Sequence, residues 1–199
     1  DPSSLPAIDV SFPTKSNNSE GSFLPYLRND RTLARPWAIP GTPELMHRIG
    51  CLEKQDKTGN VNYEPENHQL MSELRAEKIA RIAQEIPPTK IDGENKGDLL
   101  ILGWGSTEGT LTHATRALRE DGFKVSHVHL QHLCPFPPDL GEILSSFKHL
   151  LIPELNFGQL KTVIRDTYFV DAIGLNQING QPLSVADVIQ KVKNILQPH

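Results

Sequence analysis

The residues best placed to do chemistry fall in a few short stretches of this 199-residue chain. Gly103-Trp104-Gly105-Ser106-Thr107 follows the apolar run Leu99 to Leu102 and precedes an amphipathic segment, so it reads as a strand, a glycine turn and a helix. Glycines there let the backbone approach an anion, and the first N–H groups of a helix are free to bind one. Two observations oppose a dinucleotide site: the G-x-G-x-x-G pattern fails at Glu108, and the next strand ends in His129 and Leu130 without an acidic residue to hold a ribose. The competing reading is a tight structural turn with Ser106 capping the helix. A second stretch offers His127 and His129, which alternation puts on one side of a strand as half of a metal site. His132 would have to curl back to join them, and Cys134 is the nearest thiol. The third is Glu154-Leu155-Asn156-Phe157-Gly158-Gln159, in which Glu154 and Asn156 either cap the next helix or point across an interface. No nucleophile with its base, paired-carboxylate site or Walker loop is evident, so the spacing predicts no catalytic residue and no metal site.

The elements that must position these residues alternate regularly after Asp98. Strands are expected at Leu99 to Leu102, Phe123 to Leu130, His149 to Glu154 and Phe169 to Leu175. Helices are expected at Thr107 to Asp121, ended by Gly122, at Leu140 to Phe147, after Asn156, and at Val185 to Leu196. Helices between strands imply βαβ crossovers and a largely parallel sheet. The expected fold is α/β, a three-layer α/β/α arrangement on about five strands, with the three chemical stretches at the strands' carboxyl ends, where ligands bind in such sheets. Ahead of it, Glu64 to Ile86 reads as a long helix with Pro65 in its first turn, an apolar stripe of Leu70, Leu74, Ile79, Ile82, Ala83 and Ile86, and Pro87-Pro88 as the stop. "TKIDGENKG" reads as an exposed connector. Residues 1–43 contain seven prolines and no sustained periodicity, and read as an extended strap. The division is thus 1–63 strap, 64–97 helix and connector, and 98–199 α/β domain.

Composition narrows the function classes. Hydrophobic residues make up 37% and charged residues 22%, ordinary for a globular protein. A net charge of −4 lacks the basic face that nucleic acid requires, and no apolar run is long enough to span a membrane. Two cysteines, Cys51 and Cys134, cannot ligate an iron–sulfur cluster, which needs about four, and without a disulfide framework they suggest a cytoplasmic setting. The chain opens Asp1-Pro2 rather than with Met, as expected of a piece of something longer.

The stretch "RPWAIPGTPELMHRIGCLEKQDKTGNVNYEPENHQLMSELRAEKIARI" is far more specific than any glycine motif. With "LLILGWGSTEG", "HVHLQHLCPFPPDLGEIL" and "LLIPELNFGQL", it resembles the α subunit of 2-oxoglutarate:ferredoxin oxidoreductases, within the 2-oxoacid:ferredoxin oxidoreductases, over roughly Phe23 to Asp171. Glu44 and Cys51 stand where the family would have glycine, and Glu108 where it would have an aromatic residue. The resemblance implies a domain similar to the transketolase C-terminal domain, with the linker leading into it. It also implies a parent complex using thiamine diphosphate, Mg2+, an iron–sulfur cluster and coenzyme A, with ferredoxin as electron acceptor. The metal- and diphosphate-binding motif and the cluster cysteines would then lie in other domains of the α subunit or in the β subunit, and no cofactor would be bound by this chain. Its expected role is structural, at domain and subunit borders. By residue type, Arg35, His47 and Arg48 could face an anionic substrate or CoA there; Gly103, Gly105, Ser106, Thr107, His129, Glu154 and Asn156 are the border candidates at the sheet. The alternatives are a stand-alone binder of a small anion or nucleotide, and a metal hydrolase built on His127 and His129.

Overall fold

The computed structural model describes Ser3, Leu5, 11–16 and 21–197. The chain forms two compact units, Asp1–Ile82 and Ala83–His199. Part of the expected strap, at 1–2, 4, 6–10 and 17–20, lies outside the described residues.

In the first unit, the described residues before Pro65 form turns and extended segments joined by isolated bridges, Tyr26 with Lys57 and Lys54 with Val61. One helix follows, α1 (Pro65–Arg81). Proline at its start and Glu66 in the first turn suit its positive end, and Lys78 and Arg81 suit its last turn. The α-helix ends five residues before the expected Ile86, tightening into a 3₁₀ turn at Ile82–Glu85. Pro87 and Pro88 supply no N–H donors and bias the residue before them away from helical geometry. The expected apolar stripe is not a buried face. Leu70 and Ile79 are 41% and 40% exposed, and Met71 is the buried residue of α1. Polar contacts hold the helix instead. Asn67 accepts from the Asp56 N–H and donates to the Lys54 carbonyl. His68 and Arg75 meet Glu53, and Arg81 donates to the carbonyls of Asp30 and Arg31.

Glu44 and Cys51, where the resemblance leads one to expect glycine, have φ of +63° and +66°. That left-handed region costs a residue with a Cβ about 1 kcal/mol, and glycine almost nothing. Glu44→Gly and Cys51→Gly are therefore expected to stabilise the chain by roughly 0.5–1 kcal/mol each, raising the melting temperature by about 2–4 °C per kcal/mol in a thermal denaturation experiment.

The second unit contains the sheet. Its elements are β1 (Ile91–Asp92), β2 (Gly97–Trp104), α2 (Glu108–Glu120), β3 (Val125–Leu130), α3 (Leu140–Ser145), β4 (Phe147–Glu154), α4 (Gln159–Tyr168), β5 (Ala172–Asn176) and α5 (Val185–Leu196). The strand order is β1-β3-β2-β4-β5. All pairs are parallel except β1 with β3. β1 falls in the expected connector: Ile91 and Asp92 pair with Val128 and His127, an edge contact too short to show as a pattern in sequence.

Alternation along β2 divides the core. Leu100 and Leu102 join Leu140 and Leu144 of α3 and Leu160 and Ile164 of α4 on one face. Leu99 and Ile101 join Leu111, Ala114 and Leu118 of α2 and Val188 and Val192 of α5 on the other. Leu99 to Leu102 are fully buried, which explains why the central strand reads as an unbroken apolar run. The three-layer α/β/α sandwich on five strands is as expected.

Candidate functional site

The three stretches do converge on one end of the sheet, because β2, β3 and β4 are parallel neighbours and each stretch follows or ends one of them. Their side chains, however, are largely occupied in holding that end together.

At the end of β2 the chain makes a 3₁₀ turn, Gly105–Thr107, before α2 begins at Glu108. Gly105 has φ +61° and faces open space. Ser106 does not cap the helix, contrary to expectation. The 3₁₀ turn runs directly into α2, Thr107 occupies the cap position, and its hydroxyl donates backward to the Trp104 carbonyl at 2.9 Å. Glu108 places a carboxylate in the first turn, where it competes with any anion for the positive end of the helix. Gly103 serves another purpose. A Cβ on it would lie 2.4 Å from Leu111 Cδ1, 3.1 Å from His129 Nδ1 and 3.3 Å from His127 Nε2. The glycine makes room for helix packing and for two imidazoles.

Those imidazoles share a face of β3, as alternation predicts, with ring centroids 5.7 Å apart. His127 is buried, and β1 pairs Asp92 against it. Burial, with smaller repulsion from His129, pushes its pKa down to about 4. His129 Nε2 lies 3.1 Å from the Gly105 carbonyl and so steadies the turn. Among the described residues no three His, Cys, Asp or Glu side chains converge to hold a metal ion, so the ligand set of a hydrolytic zinc centre is not assembled. His132 instead lines a cavity of about 140 Å3 with His129, Lys90, Gln131 and Pro137.

The His127 shift sets a pH dependence. The unfolded chain binds a proton at this imidazole near pH 6.5, whereas the folded chain does so only near pH 4. Between these values the unfolded state holds more protons, so stability falls as pH drops through the window. The loss is expected to reach on the order of 2–3 kcal/mol by pH 4. Urea denaturation from pH 7 to pH 4, compared with His127→Gln, should show this slope in the parent chain and a weaker one in the variant.

At the end of β4, Glu154 is fully buried. Its Oε1 accepts from the Leu160 N–H at 2.9 Å and its Oε2 from the Lys161 N–H at 3.1 Å. Asn156 Oδ1 accepts from the N–H groups of Gly158 and Gln159 at 2.7 and 3.0 Å, and the Asn156 amide donates to Glu154 at 3.1 Å. Two side chains thus satisfy the N–H groups at the start of α4. Capping, one of the two readings of this stretch, is the geometry present.

The remaining candidates belong to the first unit. The Arg35 guanidinium stacks 4.3 Å over the Tyr26 ring. His47 packs against Phe23 at 5.1 Å, with Nδ1 2.8 Å from the Leu45 carbonyl, and Arg48 is exposed. Sequence reasoning missed Lys54, which is buried and donates its ammonium to the carbonyls of Gly50 and Leu52. Nothing in its local sequence marks a buried lysine.

Residues 97–188 match the family described as pyruvate:ferredoxin oxidoreductase core domain II. The chain is 42% identical, over 90% of its length, to the 2-oxoglutarate oxidoreductase subunit KorA of Mycobacterium tuberculosis, and covers 28% of that protein. It is 29% identical, over 89% of its length, to the 2-oxoacid:ferredoxin oxidoreductase 1 subunit alpha of Aeropyrum pernix, again covering 28%. The chain therefore spans little more than a quarter of the curated relatives it matches. Among solved structures, the 2-oxoglutarate:ferredoxin oxidoreductase of Magnetococcus marinus, with 2-oxoglutarate, coenzyme A and succinyl-CoA bound, aligns with a TM-score of 0.81 at 30% identity, over 92% of this chain and 32% of that one. Over residues 97–188 the chain is thus similar to pyruvate:ferredoxin oxidoreductase core domain II, and its relatives are α subunits of 2-oxoacid:ferredoxin oxidoreductases.

Proposed function

We propose that this chain is a structural and interface domain of a thiamine-diphosphate-dependent 2-oxoacid:ferredoxin oxidoreductase, bracing the catalytic domains without performing chemistry itself. The parent would convert a 2-oxoacid, coenzyme A and oxidised ferredoxin to an acyl-CoA, carbon dioxide and reduced ferredoxin, in the cytoplasm. The observation that carries this reading is the 42% identity to KorA along 90% of the chain, within only 28% of that subunit. The residues present support a supporting role. Two exposed cysteines do not fit an iron–sulfur cluster, which takes about four thiolates. The turn after β2 ends in a helix whose first turn carries Glu108, a poor fit for a diphosphate. Those groups would be held by other α-subunit domains and by the β subunit. The border surfaces would be formed by Arg35, His47 and Arg48 in the first unit and by Gly105, Ser106, His129 and Asn156 at the sheet, with the buried Gly103, Thr107 and Glu154 holding that end in shape.

Calorimetric titration of the chain with thiamine diphosphate, coenzyme A and nicotinamide nucleotides tests this reading. No heat of binding at micromolar ligand is expected. Saturable micromolar binding of any of them would favour the stand-alone anion or nucleotide binder.

A further inference from the structure

We propose that the outer edge of β5 is a pairing surface for a second copy of this chain, joining two sheets antiparallel about Gly174. β5 (Ala172–Asn176) ends the strand order, and among the described residues no strand pairs with its far side. In its register with β4, Asn176 stands beside Glu154, whose carbonyl accepts from the Gln177 N–H at 3.1 Å. Backbone groups alternate in direction along a strand, so Ile173, Leu175 and Gln177 face β4, while Ala172, Gly174 and Asn176 aim their N–H and C=O groups outward. Such an edge is a template for another strand, and proteins blunt it with charge, proline or brevity. The opposite edge is blunted: β1 is two residues long and carries the Asp92–Arg119 pair. Ala172-Ile173-Gly174-Leu175-Asn176 holds no charge and no proline. Lys161 comes near the strand over its face, where a Gly174 Cβ would point, rather than across its edge.

The edge is complementary to itself, which selects a second copy as the occupant. An uncharged strand faces its own image across a two-fold axis without like charges meeting. A register centred on Gly174 uses every outward group: Gly174 exchanges both bonds with Gly174 of the second copy, and Ala172 does so with its Asn176. The same register sets Asp171 opposite Gln177 and Val170 opposite Ile178, which is 53% exposed. Phe169 stands beside that contact, 93% exposed and at φ +53°. An aromatic ring in water on left-handed backbone is doubly unfavourable in a lone chain, and strain of this kind persists where a contact uses it. Covering the ring with Val170 and with Ile178 of the second copy supplies that contact. Because β5 is the unblunted edge of the sheet, the pairing closes at a dimer. It stands apart from the bracing role and holds whether or not that role does.

The test uses the full chain under reducing conditions, so that the exposed Cys51 and Cys134 form no disulfide link between copies. Sedimentation velocity from low-micromolar to near-millimolar chain should show a monomer–dimer equilibrium and nothing larger. Phe169→Gly removes the ring and should weaken the dimer about tenfold. The same change relieves the left-handed strain, so the monomer should melt a few degrees higher. Ile178→Lys, which sets a charge opposite Val170, should weaken the dimer at least as much. Amide exchange of the unsubstituted chain, followed by NMR, is a readout that depends on no variant. The Gly174 and Asn176 N–H groups should gain protection as concentration rises, while those of Ile173 and Leu175, bonded to β4, should not change. A chain that stays monomeric throughout, a dimer that both substitutions leave unchanged, exchange at Gly174 and Asn176 that ignores concentration, or open-ended assembly in place of a dimer would each overturn the proposal.

Discussion

Glu154→Ala is expected to destabilise the second unit by about 4 kcal/mol, read as a lower midpoint in urea denaturation. The substitution removes the acceptors for the Leu160 and Lys161 N–H groups and for the Asn156 amide, all at 2.9–3.1 Å from a fully buried carboxylate. Each stranded donor costs about 1–3 kcal/mol, and the truncated side chain leaves a void under the start of α4. The carboxylate also loses its favourable place at the positive end of that helix. Glu154→Gln separates these contributions. It keeps one acceptor but turns an NH2 toward a backbone N–H, and should cost about half as much. A fully neutral Glu154→Ala would show that the start of α4 is not held this way.

Gly103→Ala is expected to cost about 3 kcal/mol, at the upper end of what one added methyl does in a packed core. The new Cβ would stand 2.4 Å from Leu111 Cδ1 and within 3.3 Å of both imidazole nitrogens. Leu111 is fully buried and cannot swing into solvent. Gly105→Ala provides the contrast. Gly105 faces open space at φ +61°, so its alanine variant should lose only the roughly 1 kcal/mol of left-handed backbone strain. Equal effects at the two glycines would contradict the assignment of Gly103 to packing and Gly105 to turn conformation.

The sequence shows the sheet where local pattern and long-range packing agree. The run Leu99 to Leu102 reads as a central strand because both faces of β2 are covered. Residues 185–196 read as a helix because their apolar spacing faces α2, and because Ser184 accepts from the Asp187 N–H at 3.0 Å. Gly122, at φ +88°, ends the segment of α2 as expected.

Other features depend on contacts that no local window contains. Gly103 is paired in register with His129, so what looks like a phosphate turn is a space for side chains from the neighbouring strand and from α2. The two residues of β1 exist only through Val128 and His127. The apolar spacing of α1 suggests a buried stripe, yet Leu70 and Ile79 remain exposed, because polar contacts to Glu53, Lys54 and Asp56 hold the helix in its unit. Glu44 and Cys51 hide their left-handed geometry behind ordinary residue types; only the resemblance, which leads one to expect glycine at both, hinted at it. At the candidate site, residue types were legible but their duties were not. Glu154 and Asn156 could be named as caps or border residues, and the hydrogen bonds to residues 158–161 show the capping.

The most direct test of the bracing role is reconstitution of the parent oxidoreductase from a complex lacking the segment that corresponds to this chain. Assembly is followed by size-exclusion chromatography and turnover by 2-oxoacid-dependent reduction of ferredoxin. Without the segment, the subunits should fail to co-elute and turnover should be lost, and adding this chain separately should restore both. A complex that assembles and turns over at the full rate without the segment would contradict the role proposed for it.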